Sequence, residues 1–123
     1  MPRPTRPATE PAFPRRGEVW LVNFNPGRGS EQRGIRPALV IQNDTGNEHA
    51  ATVIVAAITT TIKLYPVTVF LPAGTGGLTR DSMVNLAQLL TLDKTRLIRR
   101  LGALEPDRVG AVDRALQVSL GLD

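Results

Sequence analysis

The sequence predicts a small, mostly β domain (α+β) with one helix near its carboxyl end. Two observations carry this prediction. Five or six short runs rich in β-branched residues are separated by stretches rich in Gly, Pro and Asn, as in a sheet of short strands. Near the carboxyl end, apolar residues recur instead at helical spacing. Such a set of elements is typical of a strongly bent sheet or a small barrel.

The first three predicted strands are the most strongly apolar. Residues 18–24 mix β-branched and aromatic side chains, with the tryptophan expected in the core. Residues 37–42 and 52–59 are largely apolar runs of strand length, as expected of buried central strands. A long polar loop at 25–36 separates the first two strands, and a turn at 43–47 separates the second from the third.

The second half of the chain adds shorter and less regular strands. They are expected at residues 67–71, 82–90 and 96–104. The Gly-rich stretch 74–77 is expected as a turn, because it lacks the spacing and the lysine of a phosphate-binding loop. An amphipathic helix is expected from Pro106 to Gly121, since a proline suits a first helical turn. Its apolar face is formed by Val109, Val112, Leu116 and Leu120.

Residues 1–16 differ in composition from the rest of the chain. They hold five of the ten prolines, and four arginines against one glutamate. We therefore expect a flexible Pro/Arg-rich extension at 1–16, followed by one domain at 17–123. The extension carries three of the four net positive charges. The basic composition by itself thus indicates only weak, salt-sensitive attraction to phosphates.

Composition disfavours several classes of protein. The chain has no cysteine, which argues against a disulfide-rich secreted domain and against thiolate metal sites. Its longest apolar run, residues 53–58, is far shorter than the roughly 20 residues of a membrane helix. His49 is the only histidine, and the acidic residues are scattered singly, so we expect no Ser-His-Asp triad and no metal site. These features indicate a cytoplasmic protein without a cofactor or membrane anchor.

The segment from Gly29 to Pro37, GSEQRGIRP, gathers the most versatile side chains of the domain. A hydroxyl, a carboxylate, an amide and two guanidinium groups occur there among glycines and a proline. Arginine stays charged and can stabilise the transition state of phosphoryl transfer. Pro37 biases Arg36 toward extended backbone, which suits a side chain held at the mouth of a strand. On these residues alone, a loop that acts on a phosphodiester and a plain polar loop both remain open.

Several motifs follow one another along about residues 16–122, among them GEVWLVNF, GSEQRGIRPALVIQND, TVIVAAIT and the tripeptide LDK. Their order resembles the MazF/PemK family of toxin endoribonucleases, the toxins of type II toxin–antitoxin systems. The resemblance implies a small SH3-like or plug-type β-barrel with added helices, usually paired as a homodimer. It also implies metal-independent cleavage of single-stranded RNA, often mRNA, at short sequences, and neutralisation by a cognate antitoxin. The segment before Arg16 lies outside the family pattern.

The resemblance implies catalytic roles for Arg36, in the RP motif, and for Thr59, at the end of the third predicted strand. Both suit cleavage by the neighbouring 2′-hydroxyl, which leaves a cyclic phosphate and a 5′-hydroxyl. Arg36 can neutralise the phosphorane and donate toward the leaving oxygen, while Thr59 can bond a non-bridging oxygen. Because arginine is a poor general base, the base is left open. Glu31 is expected either to serve as that base or to orient Arg36.

Base recognition is expected beside these groups, because single strands are read at the edges of splayed bases. The polar candidates for RNA binding are Ser30, Gln32, Asn43 and Gln88. Asn43 has the alternative of capping its turn, and Gln88 that of lying solvated on a strand face. A basic cluster could meet RNA, meet an acidic antitoxin segment, or form a solvated strand face. It consists of Arg96, Arg99 and Arg100.

Two other functions stay open. One is a CcdB-like toxin, which binds DNA gyrase without cutting RNA and needs no Arg36. The other is an SH3-like peptide binder, which wants a groove lined by aromatic side chains, whereas aromatics make up only 4% of this chain. The presence of both Arg36 and Thr59 in their motifs favours the endoribonuclease.

Overall fold

The computed structural model describes residues 13–26 and 33–123, which form six strands and two helices. The strands are β1 (Glu18–Asn23), β2 (Ile35–Val40), β3 (Thr52–Thr59), β4 (Thr68–Leu71), β5 (Ser82–Asp93) and β6 (Leu97–Ala103). The helices are α1 (Asp44–His49) and α2 (Pro106–Leu120). Short 3-10 turns lie at Thr75–Gly77 and Lys94–Arg96.

All six strands belong to one antiparallel sheet, in the order β4-β5-β3-β2-β1-β6. At its centre Ala38 of β2 pairs with Trp20 of β1 and with Ala57 of β3. In the described part of the chain the edge strands β4 and β6 do not pair with each other. The mostly β prediction is confirmed, but the expected barrel is corrected to an open sheet, whose short edge strand β4 spans four residues.

Apolar side chains cover both faces of the sheet. On one face, Val112 and Ala115 of α2 pack over a cluster built mainly from the central strands. On the other face, Val22 and Val55 pack with Leu90 of β5 and Leu97 of β6. Since β5 and β6 lie far apart in the strand order, their contact over one face means that the sheet bends strongly back on itself.

Trp20 lies at the edge of this second cluster, half-buried against it. Its Nε1 donates to Oε1 of Glu18 at 2.9 Å. Glu18 is only 5% exposed, and its Oε2 accepts from Nε of Arg100 at 2.8 Å. Burial of an unpaired carboxylate would cost several kcal/mol, so these bonds are what make the buried Glu18 tolerable.

The predicted strands occur with modest shifts at their ends. β1 and β3 lie where they were expected, and β2 begins earlier, because Ile35 and Arg36 already pair with Asn23 and Val22. β5 continues to Asp93. The terminal helix is confirmed as α2, which has Pro106 in its first turn and Gly121 in the left-handed conformation after its last turn.

The predicted turn at 43–47 is wrong, because these residues enter helix α1. Asn43 caps the helix, with its Oδ1 accepting from the backbone N–H of Gly46 at 2.8 Å. Asn47 is fully buried, and its Nδ2 donates to the carbonyl of Gln42 at 2.9 Å. These side-chain bonds, rather than an apolar periodicity, hold the short helix in place. His49 is its exposed last residue.

Arg16 ties the chain before β1 to the domain. Its backbone N–H donates to Oδ1 of Asp44 at 2.7 Å, and its Nε donates to the carbonyl of Ile41 at 2.8 Å. Its guanidinium also lies 2.8 Å from Oδ1 of Asp113. Residues 1–12 lie outside the described part of the chain, so the flexible extension stays a prediction. Neither helix of the described residues has the length and apolar character needed to cross a membrane.

Candidate active site

Arg36 is the second residue of β2 and pairs with Val22 of β1. Its side chain is exposed, and Nε donates to the carbonyl of Arg33 at 2.8 Å. No carboxylate among the described residues forms an ion pair with its guanidinium. The remaining N–H groups of an arginine are donors that suit an anion such as a phosphate.

Thr59 is the last residue of β3, on the strand next to Arg36. The pairing of Ala38 with Ala57 is the last one between β2 and β3 at this end, and Arg36 and Thr59 each lie two residues beyond it. Residues two apart on a strand share a face, so both lie on the face of Ala38 and Ala57. The hydroxyl of Thr59 accepts from the backbone N–H of Thr61 at 3.1 Å, which leaves its own hydrogen to donate. The structure thus places the two predicted catalytic residues at the same end of adjacent strands.

The loop between β1 and β2 opens beside Arg36. At its mouth the N–H of Phe24 donates to the carbonyl of Gly34 at 2.8 Å. The N–H of Gly34 donates to Oδ1 of Asn25, also at 2.8 Å. Gly34 has a φ of +75°, a conformation that favours glycine. The predicted site residues within the loop lie outside the described residues, so their roles stay predictions; they are Ser30, Glu31 and Gln32.

Gln88 lies on β5, where it is half-buried and already makes a contact of its own. Asn85, three residues earlier, pairs with Ala57 of β3 and therefore shares a face with Thr59. The sequence did not single out Asn85, because apolar residues are irregularly spaced in residues 82–90 and do not indicate which side chains share a face of the strand. A bulge in β5 explains that irregularity, since it shifts the alternation partway along the strand.

Asn43 is not brought to this site. It follows the opposite end of β2 from Arg36, which is roughly 20 Å away along an extended strand. Its Oδ1 caps α1 through the N–H of Gly46 at 2.8 Å. The alternative in which Asn43 serves its own local structure is therefore the one that its geometry supports.

The three arginines of the predicted basic cluster have different surroundings in the structure. Arg100 pairs with the buried Glu18 at 2.8 Å, and Arg96 donates to the backbone carbonyl of Asn25. Arg99 lies against a cavity of about 450 Å³ whose lining includes Leu21 and Leu101. The three arginines thus point to different surroundings, and two of them have structural partners.

A second cavity, of about 350 Å³, opens beside the loop mouth. It is lined by Asn23, Phe24, Pro26, Leu89, Leu90, Thr91, Leu92 and Arg96. Its volume falls in the range of small-molecule sites. Phe24 itself is buried in the second core cluster. In the described ranges, no group of three His, Asp or Glu side chains could hold a metal ion.

Comparison with known proteins agrees with this architecture. Residues 15–120 match the family described as PemK-like, MazF-like toxin of type II toxin–antitoxin system. MazF from Deinococcus radiodurans is 31% identical, with a TM-score of 0.77 over 89% of this chain and 97% of that protein. An endoribonuclease solved with its cognate antitoxin, from a mycobacterial species, is 30% identical, with a TM-score of 0.76 over the same shares. The chain therefore belongs to the family of PemK-like, MazF-like toxins of type II toxin–antitoxin systems.

Proposed function

We propose that this toxin is an endoribonuclease that cuts single-stranded RNA, mRNA in particular, at short sequences and without a metal ion. The observation that carries the proposal is the position of Arg36 and Thr59 at the same end of two adjacent strands, beside the loop mouth. A cation and a hydroxyl on neighbouring strand ends can hold one phosphodiester between them. Similar mycobacterial proteins described as endoribonucleases, at 30% and 29% identity, support the same activity.

The proposed reaction is a transesterification within the RNA strand. The 2′-oxygen attacks the adjacent phosphorus and loses its proton, the bond from phosphorus to the 5′-oxygen breaks, and that oxygen takes up a proton. One product ends in a 2′,3′-cyclic phosphate and the other in a 5′-hydroxyl. DNA lacks the attacking hydroxyl and is therefore not cut.

The roles of the two residues follow from their chemistry. Arg36 is permanently charged and stabilises the extra negative charge of the phosphorane, while it donates a hydrogen bond toward the 5′-oxygen. Thr59 donates its free hydroxyl hydrogen to a non-bridging oxygen. Glu31 is the proposed base or the group that orients Arg36, and Ser30, Gln32 and Gln88 contact the bases.

The test is cleavage of a mixed-sequence RNA in the presence of a metal chelator by wild type and by Arg36→Ala. We expect discrete cuts with cyclic phosphate ends from the wild type. A loss of about 100-fold or more is expected from Arg36→Ala, as is typical when a transition-state donor is removed. Arg114→Ala is the matched control, because Arg114 is exposed on α2, away from this site.

Three results would contradict the proposal. Undiminished cutting by Arg36→Ala would remove Arg36 from the mechanism. Cutting that requires added metal would exclude the metal-independent reaction. Absence of cutting by the wild type would favour the alternative in which the toxin binds a protein such as DNA gyrase.

A cognate antitoxin is the proposed protein partner, in the cytoplasm. Similar toxins have been solved with theirs, including MazF with MazE from Deinococcus radiodurans, at 27% identity and a TM-score of 0.70 over 89% of this chain and 96% of that one. The exposed guanidinium of Arg36, without a carboxylate partner among the described residues, is a suitable contact for an acidic antitoxin segment.

A homodimer is proposed from a surface beside β4. Helix α2 runs antiparallel to β4. Arg108, in its first turn, donates to the carbonyl of Phe70 near the end of β4, whereas Ser119, in its last turn, donates to the carbonyl of Leu86, which itself bonds Val67 just before β4. Its last turn therefore lies beside the segment that leads into β4. Both carry large apolar side chains that are 43–70% exposed, namely Leu64, Tyr65, Val118, Leu120 and Leu122. Such a group on one surface is typical of a protein interface.

A further inference from the structure

Strand β5 carries a bulge next to the candidate active site. The β3–β5 register pairs Ala56 with Leu89, but the next residue, Ala57, pairs with Asn85. Residues 86–88 thus have no counterpart on β3. The bulge is held from outside by two bonds, from the N–H of Leu86 to the carbonyl of Val67 at 2.8 Å and from the hydroxyl of Ser119 to the carbonyl of Leu86 at 2.7 Å. Bulges of this kind redirect side chains and are frequent beside active sites.

Asn85 begins this bulge, and the orientation of its amide is fixed. Its Oδ1 accepts from the backbone N–H of Ala87 at 3.0 Å. Because the oxygen is engaged, the NH₂ group must point away from the bulge. Among the described residues that NH₂ group has no hydrogen-bond partner, although the side chain is half-buried. Asn85 therefore presents its donors, rather than its acceptor, to whatever lies over this part of the sheet.

The strand register determines what Asn85 faces. Asn85 pairs with Ala57, and Ala57 pairs with Ala38, so these three side chains form one row across the sheet. Two residues further along the strands, on the same face, are Thr59 and Arg36. Diagonal neighbours on a sheet have Cα atoms about 7–8 Å apart, within reach of an asparagine and a nucleotide held by Thr59. The alanines between them leave this face free of bulky side chains.

We propose that Asn85 is a specificity-determining residue, whose NH₂ group donates to an acceptor atom on the edge of a base beside the scissile phosphate. The inference rests on the proposed endoribonuclease activity. Since Oδ1 is engaged by Ala87, Asn85 selects bases that present a carbonyl oxygen or ring nitrogen at that point and disfavours those that present an amino group. One lost base contact of this kind typically reduces discrimination roughly tenfold or more.

The first test is Asn85→Asp, in the full-length protein, with cut sites mapped on a random-sequence RNA pool. Aspartate keeps the acceptor for the N–H of Ala87 and so keeps the bulge, but it replaces the two donors with an acceptor. We expect cutting at the wild-type sites to fall at least tenfold and the base preference at one position of the recognised sequence to change. Gln117→Glu, on the exposed side of α2, controls for the added negative charge.

Asn85→Ser separates base selection from simple repulsion of RNA. The serine hydroxyl can accept from the N–H two residues on, but it adds no charge and lacks the paired donors. We expect the same change in base preference as in Asn85→Asp. If Asn85 has a purely structural role, Asn85→Asp should cut RNA as Gln117→Glu does. If the added charge of aspartate merely repels RNA, Asn85→Ser should cut as wild type does. Either result would overturn the proposal.

Thermal melting of both variants keeps the result interpretable. The two bonds that hold Leu86 are independent of Asn85, so both variants are expected to melt within a few degrees of wild type. If Asn85→Asp unfolds, the base preference of Asn85→Ser alone tests the proposal. A wild-type protein that cuts no RNA would refute the proposed function itself, whereas a cutting wild type with unchanged Asn85 variants refutes only the assignment of Asn85.

Discussion

At the scale of single residues, Arg36 owes its position to its neighbours in the chain and in the sheet. Pro37 restricts it to extended backbone, and its pairing with Val22 makes it part of β2 rather than of the loop. Its Nε bond to the carbonyl of Arg33, at 2.8 Å, fixes one edge of the guanidinium. The other N–H groups can then meet a phosphate with little further loss of side-chain entropy.

Asp44 gives the domain a pH dependence of folding. The N–H of Arg16 donates to Oδ1 of Asp44 at 2.7 Å. This bond lowers the pKa of Asp44 from its usual value, although burial acts in the opposite direction. A hydrogen bond from Asn47 and the charges of Arg15 and Arg16 lower the pKa further. A carboxyl with a lowered pKa in the folded state stabilises the fold above its unfolded pKa of about 3.9. That stabilisation is lost as the pH falls through the folded pKa.

We therefore expect Asp44→Asn to lower the free energy of unfolding at pH 7 by on the order of 1 kcal/mol, because solvent screens an exposed charge. The difference from wild type should begin to shrink near pH 3.9, the unfolded pKa, and vanish below the lowered pKa of Asp44 in the folded state. Urea unfolding at a series of pH values measures it. Glu48→Gln removes a carboxylate from the same helix and is the control. A difference for Asp44→Asn that persists in acid would show that its charge is not the cause.

What could be predicted at this scale depended on whether a residue belongs to a local motif. Arg36 and Thr59 stand in motifs that can be read along the chain, and the structure places them at the same end of adjacent strands. Asn85 could not be found in that way. The face of the sheet on which its side chain lies depends on where the three extra residues of β5 are inserted. The spacing of apolar residues does not reveal where such a bulge begins.

At the scale of elements, strong apolar runs were predictable and polar ones were not. β3 lies where its β-branched run predicted it. α1 was missed, since its six residues are too few for helical periodicity, and Gly46 within it is typical of turns. It forms because Asn43 caps its first turn and Asn47 bonds the carbonyl of Gln42. Asp44 adds a bond from the backbone of Arg16, a residue that only folding brings to it.

The Gly-rich turn at Thr75–Gly77 packs backbone to backbone against β6. A Cβ atom at Gly102 would lie 2.5 Å from the carbonyl carbon of Gly76 and 2.7 Å from its oxygen. We expect Gly102→Ala to lower the free energy of unfolding by about 2–3 kcal/mol, because backbone on both sides must move apart. Urea unfolding measures the change.

Gly110→Ala is the matched control, since it makes the same change inside α2. The nearest atom to a Cβ there is Nη1 of Arg114 at 3.6 Å, the end of a flexible side chain. Alanine is the better helix former, so Gly110→Ala should raise the free energy of unfolding by up to about 1 kcal/mol. Equal effects at the two positions would contradict the role given to the close contact at Gly102.

At the scale of the whole molecule, the bend of the sheet and the position of α2 decide which face carries the candidate active site. The sheet is open between β4 and β6 among the described residues, yet Leu90 and Leu97 meet over one face. Closure could not be predicted from strand number, because the strand lengths and the bend that decide it emerge only in the packed domain. α2 covers the other face, so Arg36 and Thr59 lie on the face that the helix leaves open.

The apolar surface beside β4 predicts the state of assembly. We expect light scattering to give twice the 13.3 kDa mass of one chain and Leu120→Lys to give a monomer, since a buried unpaired charge is costly in an interface. Ile98→Lys is the control, because Ile98 is an exposed apolar residue on β6, at the opposite edge of the sheet. A dimer that persists in Leu120→Lys would place the interface elsewhere.

The bonds at the mouth of the β1–β2 loop have an evolutionary consequence. Phe24, Asn25 and Gly34 join the two ends of the loop, while Arg36 and Thr59 take their positions from the strands beneath. With Glu31 and the bond from Arg36 to Arg33 retained, the segment enclosed by these bonds can therefore exchange other residues without displacing Arg36 and Thr59 from their strands. Under the proposed function, selection can rewrite which messages a toxin of this kind destroys by altering residues between β1 and β2, and descendants of one ancestor can diverge in target while they share one chemistry.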